Sequence, residues 1–194
     1  SGKSVAVFSL EMSKAQLGMR LVSTEALMDN KKLSNGRIAG EEEWGRVAMA
    51  VASLSQAQLF IDDDASLSVA EINAKCRRLE NLGLVIIDYL QLMTSAGGPA
   101  RASDNRQQIV SDMSRSLKLM AKELNVPVIC LSQLSRANES RGATQRRPML
   151  SDLRDSGAIE QDADIVLFLY RESYYEDDAE NPNVAECIVA KNRH

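Results

Sequence analysis

"LVIIDYLQLM", Leu84 to Met93, is a run of apolar and β-branched residues interrupted by one carboxylate. A run this short and this apolar reads as a strand over Leu84–Ile87, buried on both faces. Strands of that kind belong to parallel sheets covered by helices. Asp88 then stands where the strand leaves the sheet. This is the form of a Walker B element, whose carboxylate holds a magnesium ion through water. A turn aspartate closing a buried strand looks the same, so the stretch alone leaves both readings open.

Outward from it, the same alternation repeats. Val5–Leu10 reads as a second buried strand. Ser13 and Gln16 then form a capping box, S-x-x-Q, that starts a helix at Lys14. Glu11 is caught between that strand's end and the helix start. It has two readings: a base that polarises water, or a charge that favours the helix dipole. A helix is predicted over Glu41–Ser55 with Trp44, Val47, Val51 and Leu54 inward. A short strand, Leu59–Ile61, ends at Asp62-Asp63-Asp64. Ser68 and Glu71 cap the next helix, and Gly83 is expected to stop it. Thr94–Ala102 reads as a loop and Asp104–Leu124 as a long helix. Val126–Leu131 is a strand ending at Ser132-Gln133. Gln133 offers an amide that can sense a phosphate, or simply a polar strand end. Arg136–Pro148 is basic, with Arg136, Arg141, Arg146 and Arg147 open to a solvated-loop reading or to phosphate contacts. Strands Ile165–Tyr170 and Val184–Ala190 flank an acidic, turn-rich segment, Tyr174–Asn183.

Strands alternating with helices predict an α/β fold with a largely parallel central sheet. In such sheets chemistry gathers at the carboxyl ends of the strands, where Glu11, Asp88 and Gln133 are expected. The opening Gly2-Lys3-Ser4 looks like the tail of a phosphate loop. A working loop of that type is followed by a helix, however, and Val5 begins a strand. A turn leading into the sheet is the better reading.

Composition narrows the class. The chain has 194 residues, 44% hydrophobic and 26% charged, with a net charge of −4. These values fit one globular domain and give no global sign of nucleic-acid binding. No run approaches the ~20 apolar residues of a membrane span. The three cysteines, Cys76, Cys130 and Cys187, are too scattered for a disulfide framework or a zinc site, which favours a reducing cytoplasm. The single histidine, His194, argues against a His-based triad. Ser1 is not an initiator, so the chain is expected to be a piece of something longer.

Five phrases in order carry a resemblance: "VAVFSLEMS", "LVIIDYLQLM", "NRQQIVSDMSRSLKLMAKELNVPVICLSQLSR", "RRPMLSDLRDSGAIEQDADIVLFLYR" and "VAKNR". Together they resemble the C-terminal RecA-like motor domain of bacterial replicative DNA helicases, the DnaB family. The resemblance runs nearly end to end and is weakest across Leu33–Asp64 and Ser173–Asn183. It implies a RecA-like P-loop NTPase core over residues 1–194, lacking the collar domain, the phosphate loop and the last strands. It further implies a homohexamer that moves along single-stranded DNA by hydrolysing ATP with Mg2+. A primase and a helicase loader are implied partners, and the implied location is the bacterial cytoplasm, at the nucleoid. By this likeness Glu11 is the catalytic glutamate, Asp88 the Walker B aspartate and Gln133 the γ-phosphate sensor. Lys191 and Arg193 resemble the lysine and arginine finger that reach a neighbour's site. Arg154, Asp155 and Gly157 lie in a segment that resembles the loop holding the DNA backbone, although the family more often has Glu where Asp155 stands. A RecA-like recombinase or regulatory ATPase shares the strand-end carboxylates. It does not share "SLEMS" and "DLRDSGAIEQDAD" together.

Overall fold

Four strands run in one direction in the order β2-β1-β3-β4, namely Leu59–Asp62, Ser4–Ser9, Leu82–Asp88 and Val128–Cys130. All three pairings are parallel. The structure, a computed structural model, describes residues 2–93, 106–135, 147–175 and 181–193, with only the backbone at Arg106 and Arg154–Ser156. The Thr94–Ala102 loop, Asp104, and Arg136, Arg141 and Arg146 of the basic stretch lie outside the described residues, as does half of the acidic segment.

Helices α1 (Lys14–Glu25), α2 (Asn30–Ser34), α3 (Gly40–Ser55), α4 (Val69–Cys76), α5 (Arg106–Leu124) and α6 (Gly157–Asp162) fill the connections. Both predicted capping boxes form, Ser13 with Gln16 and Ser68 with Glu71. Each hydroxyl accepts a main-chain N–H that the first helical turn would leave unpaired.

Along β1 and β3, alternate residues point to opposite faces. Ala6, Phe8, Val85 and Ile87 pack against Ile72 and Cys76 of α4 and Val110, Met113, Leu117 and Met120 of α5, which makes the main core. The register puts Val7, Ile86 and Ile129 side by side on the other face. There burial is incomplete: Val7 and Ile86 are partly covered and Ile129 is 52% exposed. A parallel sheet normally has both faces covered. Among the described residues, this one is well covered on the α4–α5 side only.

The last two strands depart from a single parallel sheet. β5 (Ile165–Tyr170) and β6 (Glu186–Asn192) form a separate antiparallel pair. Val166 and Phe168 pack on Leu153 and Leu134, forming a second, smaller core. Lys118 of α5 ion-pairs with Asp164, which ties the hairpin to the main body.

Two further expectations are corrected. The inward stripe of α3 is Val47, Ala50 and Leu54, while Trp44 and Val51 are exposed. Both stripes have helical spacing, so periodicity alone did not separate them. Gly83 does not stop α4; it lies inside β3, and Asn81 holds the left-handed turn at φ 55°. A Cβ at Gly83 would sit 2.6 Å from the Lys3 Cβ, so close side-chain approach requires the glycine.

Candidate functional site

Parallel pairing puts every strand's carboxyl end at one edge. Ser9 pairs with Asp88, and the Leu10 N–H donates to the Asp88 carbonyl at 2.7 Å, so Glu11 follows one residue beyond that rung. On the far side of β3, Leu131 N–H donates to the Ile87 carbonyl at 2.9 Å, and Gln133 follows two residues later. Glu11, Asp88 and Gln133 therefore share one sheet edge. The Asp88 carboxylate lies near enough to Cys130 to raise its thiol, which burial chiefly pushes up to about 12.

The turn bearing Glu11 is fixed from both sides. The buried Ser9 hydroxyl donates to the Met12 carbonyl at 2.8 Å. The Asp63 carboxylate accepts the Lys14 N–H at 2.9 Å, and this bond holds its pKa below the usual carboxylate value. Ser9 and Asp63 were not singled out from the sequence. Asp63 follows the edge strand β2, and only the pairing of β2 with β1 brings it to the start of α1. Among the described residues, the Glu11 and Asp88 carboxylates and the Gln133 side-chain amide have no hydrogen-bond or ion-pair partner. Two unpaired carboxylates and an exposed amide at one edge can orient water and receive protons.

Gly2-Lys3-Ser4 lies at the opposite edge, where β1 begins. Gly2 has φ 67°. The Ser4 hydroxyl is buried and donates to the Glu80 carbonyl at 2.6 Å, with Gln58 Oε1 3.0 Å away. The tripeptide is a turn into a strand, and its hydroxyl is already used.

Lys191 and Arg193 are brought together at the end of β6. Both reach the carboxyl end of α6. Lys191 Nζ donates to the carbonyls of Glu160 and, at 2.8 Å, Ala163. Arg193 donates to the Gln161 carbonyl at 2.6 Å and pairs with the Asp164 carboxylate at 3.9 Å, and its side chain stays 50% exposed. Cations there satisfy orphan carbonyls and oppose the helix dipole. Arg147, in the basic stretch, pairs with Glu186 at 2.8 Å. Gly157 is exposed and begins α6, directly after the 3-10 turn Leu150–Ser156. The side chains of Arg154 and Asp155 lie outside the described residues.

No group of three or more His, Cys, Asp or Glu among the described residues is placed to hold a metal ion by itself. None of the described helices is long and apolar enough to cross a membrane.

Comparison with known proteins agrees with this architecture. The chain is 52% identical over 197 residues to the replicative DNA helicase DnaB of Geobacillus stearothermophilus, covering 100% of the chain and 42% of that protein. It is 52% identical over 195 residues to the replicative DNA helicase DnaC of Bacillus subtilis (strain 168), covering 99% of the chain and 42% of that protein. The chain thus spans less than half the length of these relatives. Among solved structures, the ATPase domain of G40P superposes with a TM-score of 0.89 at 43% identity, covering 98% of this chain and 67% of that one. A DnaB-like replicative helicase, studied with its interactions with primase, also gives 0.89 at 44% identity, covering 98% of this chain and 46% of that one. The family described as the DnaB-like helicase C terminal domain matches residues 1–194, and the chain belongs to it.

Proposed function

We propose that this chain is the core of an ATP-driven motor that moves a replicative helicase along single-stranded DNA and unwinds duplex at the fork. The observation that carries the reading is the sheet edge where Glu11 and Asp88 stand without partners beside Gln133. The donor set fits part of a Mg2+–ATP site. Two carboxylates suit an attacking water and the water shell of magnesium, and an amide suits a phosphate oxygen. A phosphate-gripping loop is not among these residues.

When bound, Mg2+–ATP supplies the γ-phosphoryl group and a neutralised leaving group. Glu11 orients the water and takes up its proton. Asp88 holds the metal's water shell, and Gln133 registers whether the γ-phosphate is present. Lys191 and Arg193 act across a subunit boundary in a homohexamer, where developing negative charge needs cations. The turn bearing Arg154, Asp155 and Gly157 holds the DNA backbone. A motor must pass every sequence, and phosphate contacts carry no sequence information. The whole protein would meet a primase and a loader, in the bacterial cytoplasm at the nucleoid.

The test is Glu11→Gln in the full-length protein. The amide keeps the shape but cannot accept the proton, so hydrolysis should fall by about 10²-fold or more with ATP affinity retained. Near-normal hydrolysis would reduce Glu11 to a charge at the start of α1.

A further inference from the structure

Gln133 lies on a segment, Leu131–Ser135, that has left β4 and lost the regular ladder. Its main chain is nonetheless held at three points. Leu90 N–H donates to the Leu131 carbonyl at 3.0 Å, and Ser135 N–H donates to the Asp152 carbonyl at 3.0 Å. Between them stands the side chain of Gln91. Its Oε1 accepts the Gln133 N–H at 3.2 Å, and its Nε2 donates to the Gln133 carbonyl at 3.2 Å and to the Ser132 hydroxyl at 2.8 Å. A carboxamide carries an acceptor and a donor side by side, which matches both main-chain groups of one residue. Gln91 therefore adds one rung to the sheet after the neighbouring backbone has turned away.

That backbone is the 3-10 turn Leu90–Leu92, which begins two residues after Asp88. The clamp thus joins the strand bearing Asp88 to the residue bearing the sensing amide. We infer that Gln91 is a positioning residue, which fixes the main chain of Gln133 relative to Asp88. It touches no reacting atom on this view. Its importance comes from placement, since displacement of a working group by about 1 Å can cost up to ~10²-fold in rate. The inference rests on the sensing role given to Gln133 above.

The experiment uses the full-length ring and measures ATP hydrolysis with and without saturating single-stranded DNA. Gln91→Met keeps the length of the side chain and removes all three bonds. It should lower the DNA-stimulated kcat by about tenfold while the KM for ATP stays within about twofold. Gln91→Glu, a polar variant of the same size, loses the donors and sets a carboxylate oxygen against the Gln133 carbonyl. It should show a loss at least as large, and it serves if the methionine variant does not fold. Each change is repeated in a Gln133→Ala background, where it should have no further effect on stimulated kcat, because the main chain is still clamped but the amide that the clamp positions is gone. Equal losses in both backgrounds would mean that Gln91 acts through general stability, and would overturn the inference. So would a normal stimulated rate in both Gln91 variants when Gln133→Ala alone is impaired. If Gln133→Ala itself keeps the normal stimulated rate, the sensing role fails first and the inference falls with it.

Discussion

Glu11 and Asp88 stand at the sheet edge without partners among the described residues, whereas Lys191 and Arg193 are held by carbonyls at the end of α6. Opposite charges in one chain would ordinarily find each other if the fold allowed it. Here the fold keeps Glu11 and Asp88 on the parallel sheet and both cations on the β5–β6 hairpin, where Arg193 pairs instead with Asp164. The anions are thus left to meet cations from elsewhere, and the cations are stored in a defined place. On the proposed function, a site divided in this way would be completed by a second subunit.

The largest effect should come from breaking the cationic half. In the full-length protein Arg193→Ala should lower ATP hydrolysis by on the order of 10³-fold. Mixing that variant with Glu11→Gln protein should return part of the activity, because some interfaces regain Glu11 on one side and Arg193 on the other. If subunit exchange is verified and no activity returns, the two halves do not meet across a boundary. Next in size, Arg154→Ala should weaken single-stranded DNA binding evenly across sequences and lower the salt slope by about 0.7. A loss confined to certain sequences in filter-binding or anisotropy titrations would contradict a backbone contact.

Stability sharpens the same contrast. Ser13→Ala removes a partnered group, the cap of α1, and should cost about 1 kcal/mol in urea unfolding. Asp88→Asn removes an unpartnered charge and should leave the unfolding midpoint almost unchanged, because no bond is lost. A marked destabilisation would show that the Asp88 carboxylate has a structural partner.

The legible parts of the molecule were those governed by local chemistry. Ser13–Gln16 and Ser68–Glu71 announced two helices because a capping box is contained in four residues. Leu84–Ile87 announced a strand, and parallel order followed from alternation with helices. Long-range approach was not legible. Gly83 looked like a helix stop because nothing nearby in sequence reveals that Lys3 passes over it. Trp44 looked buried because an apolar residue at helical spacing carries no mark of which face is covered. Gln91 and Asp63 serve the candidate site through partners distant in sequence, Gln133 beyond β4 and Lys14 at the start of α1. The roles of Glu11, Asp88 and Gln133 themselves came from family resemblance, since each residue also had an ordinary structural reading.

Helix α6 has a mechanical consequence. It is a rod of six residues, about 9 Å long. One end is Gly157, where the proposed DNA-holding turn finishes. The other end presents the carbonyls that grip Lys191 and Arg193. A short helix resists compression, so a push on Gly157 is delivered to both cations with little lost in bending. On the proposed function, channel and subunit boundary would be the two ends of one strut. On the same reading, a step taken by the strand of DNA would be felt at the neighbour's nucleotide as a displacement of charge.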